Sequence, residues 1–189
     1  MPQKPSFSSL TALAGVALMV SSRALTLVLL LGAAGALADP ESYYGKTLPD
    51  FTVKTLDGED FTLSESLKSH DLVLINFWAT WCGPCRMEFP FLQDAWQQYA
   101  DRIDVIALSV EETDTIKKLQ RFAEQNSLSF RIGRDETGIF SRMRGNAIPT
   151  TLIVDRDRKI VYVDVGAKVS TDAFTELFDS LLNEVRVDL

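Results

Sequence analysis

At 189 residues, with 46% hydrophobic and 24% charged side chains, the chain has room for one globular domain beside a targeting segment. Its net charge of −7 is uneven: residues 1–38 hold Lys4 and Arg23 and no acid, so residues 39–189 carry 17 basic against 26 acidic side chains, a net of −9. So acidic a domain lacks the clustered Lys and Arg that phosphate neutralisation demands, which excludes nucleic acid as a partner.

Residues 1–38 read as a segment apart from the fold. Arg23 precedes "ALTLVLLLGAAGALA", an uncharged apolar run that ends in Ala36-Leu37-Ala38 before Asp39. A basic residue, a short apolar core and a small-x-small end are the parts of a secretory signal. The run is shorter than the roughly 20 residues that a spanning helix prefers. The same features also fit an uncleaved membrane tether through residues 24–38. Leu10 to Val20 is a second apolar stretch, which leaves Met19 as an alternative start with "MVSSR" as its basic lead. No cysteine follows the apolar run, so a lipoprotein anchor is excluded. Both readings place the domain outside the cytoplasm, in the periplasm.

Pro40, Gly45 and Pro49 mark 39–50 as a linker, and 51–189 as the domain. "FTVKTL" and "EDFTL" around Asp57-Gly58 predict a hairpin. Ser64 to Lys68 fits one helical turn. Leu72 to Trp78, "LVLINFW", is apolar except for Asn76, as in a central strand buried on both faces. From Cys82 the period becomes helical, with Phe89, Leu92, Trp96 and Tyr99 on one face, and the pattern continues past Pro90. "IDVIALSV" predicts a strand. Ile116, Leu119, Phe122 and Ala123 mark a helix ending near Asn126. A short strand around Leu128–Ile132 and a helical stretch around Glu136–Met143 come before "NAIPTTLIVD". "KIVYVDV" pairs with it antiparallel across the turn "DRDRK", and a last helix turns Phe174, Leu177, Phe178, Leu181 and Leu182 inward. Strands alternating with helices predict an α/β domain with a largely parallel centre.

The only two cysteines, Cys82 and Cys85, sit in "WCGPC" where the buried strand gives way to a helix. A bridge between them closes four residues and constrains the unfolded chain little, so stability is not its purpose. The first amides of a helix lack internal partners and favour an anion, so the Cys82 thiolate is expected well below the free value of about 8.5, near 7. A fall of ~1.5 units corresponds to about 2 kcal/mol favouring the thiolate. Cys85 lies one turn on, within disulfide reach. Cys82 is then the thiol that attacks a substrate disulfide and Cys85 the one that resolves the mixed intermediate. A tetrahedral zinc site needs four ligands. The only histidine, His70, falls in a polar stretch and has no assigned role, so no metal site is expected. Two thiolates holding copper, for binding or delivery without turnover, is the competing reading. Insulin reduction with dithiothreitol separates catalyst from binder.

"WCGPC" after an apolar strand, with "AIPTTLIVD" far downstream, resembles the thioredoxin superfamily. "LPDFTVKTLDGEDFTLSE" joined to "LVLINFWATWCGPCRMEFP" is similar, more narrowly, to its TlpA-like branch of exported, often membrane-tethered thiol–disulfide oxidoreductases, which includes cytochrome c maturation reductants. The resemblance spans nearly all of residues 48–182. It implies a thioredoxin fold: a central mixed β-sheet flanked by helices, with an N-terminal hairpin and an inserted βα unit before a cis-proline at Pro149. It further implies substrate contacts at Trp81, Ile148 and Pro149, redox tuning by Gly83-Pro84 toward the reducing side, and no cofactor beyond a Cys82–Cys85 disulfide. Oxidised proteins would be the substrates, apocytochrome c or oxidase copper-site cysteines among them, with a membrane thiol carrier as electron donor. Plain thioredoxin has a buried aspartate where this chain has Asn76, and a neutral amide cannot take the proton that Cys85 must lose. Glu88, three residues after Cys85 and on its helical face, is the replacement. TlpA-like proteins commonly carry a glutamate there. A peroxidase of the related peroxiredoxin branch needs Pro-x-x-x-Thr-x-x-Cys. The proline and threonine positions hold Ile75 and Ala79, so that activity is rejected.

Overall fold

The computed structural model describes residues 40–187, so the segment 1–38 expected to be a signal or tether lies outside the described residues. Among the described residues no helix is long and apolar enough to cross a membrane. After a 3₁₀ turn, Pro40–Tyr43, strands β1 (Thr52–Lys54) and β2 (Asp60–Thr62) form the expected antiparallel hairpin. Its turn places Gly58 at φ 86°, a left-handed conformation that glycine adopts without a Cβ clash. Helix α1 (Leu63–Ser66) leads into β3 (Leu72–Trp78), followed by α2 (Gly83–Trp96), β4 (Ile103–Ser109) and α3 (Ile116–Gln125). Then come β5 (Arg131–Arg134), α4 (Ile139–Arg142), β6 (Thr150–Asp155), β7 (Ile160–Val165) and α5 (Thr171–Val187). The five-stranded sheet runs β5-β4-β3-β6-β7. It is parallel across β5, β4 and β3, and antiparallel from β3 to β6 to β7. This is the mixed α/β thioredoxin architecture, with β5 and α4 as the unit inserted before Pro149.

Strand β3 is the centre of the sheet, and all seven of its residues are buried. Its side chains alternate between two cores because strand side chains point to opposite faces. Leu72, Leu74 and Trp78 join Phe89, Leu92, Phe174 and Phe178 on one side. Val73, Ile75 and Phe77 join Phe51, Phe61, Ile106 and Leu152 on the other. The same period carries Asn76 onto the first face, where α2 covers it. Pro90 stands inside α2 without ending it. An interior proline costs about 3 kcal/mol. Buried Phe89 and Leu92 on either side of it, at about 1.5–3 kcal/mol each, offset that cost. The ring of Phe89 meets Trp78 edge-on at 4.8 Å and Phe130 at 5.6 Å.

Three local expectations are corrected. The segment 39–50 is not a free linker. The Gly45 N–H donates to Ile160 O (2.8 Å), the Ile160 N–H to Lys46 O (2.9 Å), and the Leu48 N–H to Arg158 O (2.8 Å). Leu48 is buried. Strand β7 is a sheet edge with unpaired backbone groups, and these residues pair with it despite their proline and glycine content. The strand expected over 128–132 begins only at Arg131. Ser127 takes a left-handed φ of 52°. Gln93 of α2 then holds Ser129 by two hydrogen bonds, accepting its N–H at 2.7 Å and donating to its Oγ at 2.8 Å. Both keep 127–130 off the ladder, and Phe130 is used as a core plug. The helix expected over 136–143 shrinks to Ile139–Arg142. The Asp135 carboxylate accepts the N–H groups of Ile139 and Phe140 at 2.8 Å each, so the residues before Ile139 form its entry turn.

Candidate redox site

Cys82 is the N-cap of α2, and its Sγ accepts the Cys85 N–H at 3.2 Å. Pro84 occupies the first turn, where its missing N–H removes no helical bond. Cys82 and Cys85 are joined as a disulfide with Cα atoms 5.3 Å apart. Cys85 is fully enclosed and Cys82 is 3% exposed. From the other end of the chain, Ile148 O comes within 3.8 Å of the Cys82 sulfur, and the Ile148–Pro149 peptide bond is cis. Strand β6, antiparallel to β3, carries this loop to the site, with Thr151 in register beside Asn76. Trp81 is exposed at the rim, its indole N–H donating to Glu111 Oε2 at 2.8 Å. The structure therefore brings Trp81, Gly83, Pro84, Ile148 and Pro149 around the cysteine pair.

Glu88 is 0% exposed, not a solvated helix glutamate. Its carboxylate accepts from Asn76 Nδ2 (2.7 Å) and from the backbone N–H of Lys168 (2.9 Å). Asn76 Nδ2 also donates to Thr151 Oγ1 at 3.1 Å, while Asn76 Oδ1 is buried and has no partner among the described residues. Burial pushes the Glu88 carboxyl above the ordinary glutamate range; the bonds from Lys168 and Asn76 pull the other way without cancelling it. The Lys168 ammonium is nearby, paired with Asp164 and lying 5.1 Å from the centre of the Tyr162 ring. So Asn76 and the glutamate form one hydrogen-bonded unit between the central strand and the helix of the cysteines. Sequence reasoning missed Lys168, because its contribution is a backbone amide that no residue type advertises. It also missed Thr151, which gave no signal beyond its strand.

A second missed feature is Asp114, fully buried after β4. Its carboxylate accepts from Thr80 N (2.9 Å), Thr80 Oγ1 (2.5 Å), Ser109 Oγ (2.8 Å) and Lys118 Nζ (2.5 Å). This clamp pins the residue two before Cys82 to the end of β4 and the start of α3. Burial works against the Asp114 charge, but the bonds from Lys118, Thr80 and Ser109 outweigh it and hold its pKa below the usual aspartate range. A depressed folded-state pKa contributes stability that is present above the unfolded value, ~3.9, and lost as pH falls through the folded value. Asp114→Asn removes the charge from a buried, hydrogen-bonded pair. It is expected to cost about 2–3 kcal/mol at pH 7 and to abolish this part of the acid dependence. Denaturant unfolding at pH 7 and pH 3 checks both, and equal losses at the two pH values would exclude the charge as the cause.

A helix-capping cysteine disulfide beside a cis-proline, on this sheet, defines a thiol–disulfide oxidoreductase of thioredoxin fold. The chain belongs to the Redoxin family, whose model matches residues 44–181, and its likeness to the TlpA-like branch stands. It is 33% identical over 153 residues to the thiol-disulfide oxidoreductase ResA of Bacillus cereus, spanning 76% of this chain and 86% of that one. It is 37% identical over 123 residues to the thioredoxin-like protein YneN of Bacillus subtilis, spanning 65% of this chain and 71% of that one. A solved thiol:disulfide interchange protein of the thioredoxin family from Chlorobium tepidum shares the fold with a TM-score of 0.59. It is 24% identical and covers 69% of this chain and 94% of its own.

Proposed function

We propose that this domain works outside the cytoplasm as a reductant of protein disulfides. Cys82, as thiolate, attacks a client disulfide, forms a Cys82–client disulfide and expels one client thiolate. Cys85 gives its proton to Glu88 and attacks the Cys82 sulfur, restoring the Cys82–Cys85 disulfide and expelling the second client thiolate. That thiolate recovers the proton. Two electrons have passed from the dithiol to the client, and no cofactor beyond the cysteine pair is needed. A membrane thiol carrier then re-reduces the pair. Apocytochrome c haem-site cysteines and oxidase copper-site cysteines are fitting clients, and export rests on the apolar run before Asp39. Trp81 and the Ile148–Pro149 backbone are the surfaces against which the client segment lies.

The observation that carries the reading is the buried Asn76–Glu88 unit between the central strand and the helix that presents the disulfide: a carboxyl kept from water, its pKa raised by that burial, is suited to exchange a proton with a thiol. The reduction potential of the pair, measured by equilibration with a dithiol buffer, tests direction. Reducing members of this fold lie near about −270 mV and strong oxidants near about −120 mV. A value near the first is expected, and one near the second makes the domain an oxidant.

A further inference from the structure

Beside the redox pair this acidic domain carries a cationic groove. An open groove of about 350 Å³ runs between Trp81 and α3, lined by Trp81, Arg86, Lys118, Arg121 and Gln125, with buried Phe122 among its apolar walls. The lining holds three cations and no carboxylate. Lys118 is committed to Asp114, though 46% of its side chain remains exposed. Arg86 and Arg121 are exposed, and among the described residues neither is part of an ion pair. The nearby Glu111 is engaged with the Trp81 indole and with Thr113.

Two guanidinium groups without an ion-pair partner among the described residues thus line one groove. Each offers planar donors that match a carboxylate, and neither can lose its charge. Arg86 directly follows Cys85, and Trp81 directly precedes Cys82, so the groove opens within one or two residues' reach of the reacting sulfur. We propose that it receives acidic side chains flanking the cysteine of the client, and so sets which protein disulfides are reduced fastest. This rests on Cys82 as the attacking thiol. The net of −9 over residues 39–189 strengthens the selection. The net charge of the domain opposes approach of an acidic segment, so a local attraction at the groove orients the client as well as holding it.

Three peptide disulfides of one sequence, with Glu, Gln or Lys at the positions flanking the cysteine, test this with the reduced full chain. At low salt, kcat/KM for the Glu peptide is expected to exceed that for the Lys peptide by about five- to tenfold. The gain should lie in KM, and the ratio should contract toward one at about 0.5 M salt. In the R86Q/R121Q double variant the Glu-to-Lys ratio should fall to within about twofold at low salt; both side chains are exposed, so the fold tolerates the change. Turnover of the Gln peptide reports the thiol chemistry by itself, and the ratio reports the groove. Equal rates for the three peptides in the unaltered protein, or a preference that survives in the double variant, would overturn the groove as the acid-binding site. Failure to reduce even the Gln peptide would overturn the reductase reading, and this proposal with it.

Discussion

Cys82→Ser should abolish disulfide exchange, a loss of at least about a thousandfold, whereas Cys85→Ser should leave the first attack intact and trap clients on Cys82. The asymmetry comes from position. Both sulfurs are nearly enclosed in the disulfide, so exposure alone, 3% against 0%, separates them little. The Cys82 sulfur, however, caps the helix and accepts an amide N–H that also favours its thiolate. It also faces the backbone of Ile148, along which an extended client can lie. Cys85 sits one turn deeper, against the buried side of α2. Mass spectrometry of proteins captured from a periplasmic extract distinguishes the two variants. Capture by Cys82→Ser and not by Cys85→Ser would reverse the roles.

Glu88→Gln carries the second large effect. Asn76 cannot accept a proton, and the proposed mechanism therefore gives the acid–base work to the carboxyl hydrogen-bonded to it. Removing it should slow resolution of the mixed disulfide by about 100-fold, within the usual range for a positioned acid–base group. The pH dependence has a definite sign. Glu88 accepts a proton only when ionised, and burial holds its pKa above the ordinary value of ~4.3. In the unaltered protein resolution should therefore fall on acidification at a pH above that value, and the variant should lack this limb. Loss of a neighbouring anion should also let the cysteine thiolates form at lower pH. The fold should survive. A raised folded-state pKa means that ionised Glu88 opposes folding above the unfolded value, and glutamine removes that cost. Glutamine offers one acceptor where the carboxylate met two donors. Turning the Asn76 amide over would present its unpartnered Oδ1 to the new NH₂ group and leave the Lys168 N–H its acceptor. Single-turnover kinetics and thiolate absorbance across pH check both halves. Unchanged rates and unchanged thiolate titration would remove Glu88 from the mechanism.

Asn76 also shows how far the sequence reaches. As a polar residue in an apolar strand it stood out at once, and helical spacing alone put Glu88 on the face of Cys85. That the two meet depends on the pleat of β3 and the seating of α2, which only packing decides. The sequence by itself determined the elements with a strong period: the buried strand, the helix through Pro90, the hairpin at Asp57-Gly58 and the cysteine pair at a helix start. Each is a local property of spacing or turn chemistry, readable over a few residues.

Tertiary structure alone decided the rest. The free edge of β7 drew in residues 45–48, which local composition marks as loop. Gln93 held Ser129 off the ladder and delayed β5. The Asp114 clamp joins residues 34 apart, and the groove cations Arg86 and Arg121 come from separate helices that only docking brings together. Such features depend on partners distant in the chain, and their signature is a place in space instead of a pattern along the sequence. The domain's overall negative charge was legible from composition, but its reversal beside Cys82 was not, because a net charge is a sum and a groove is an arrangement.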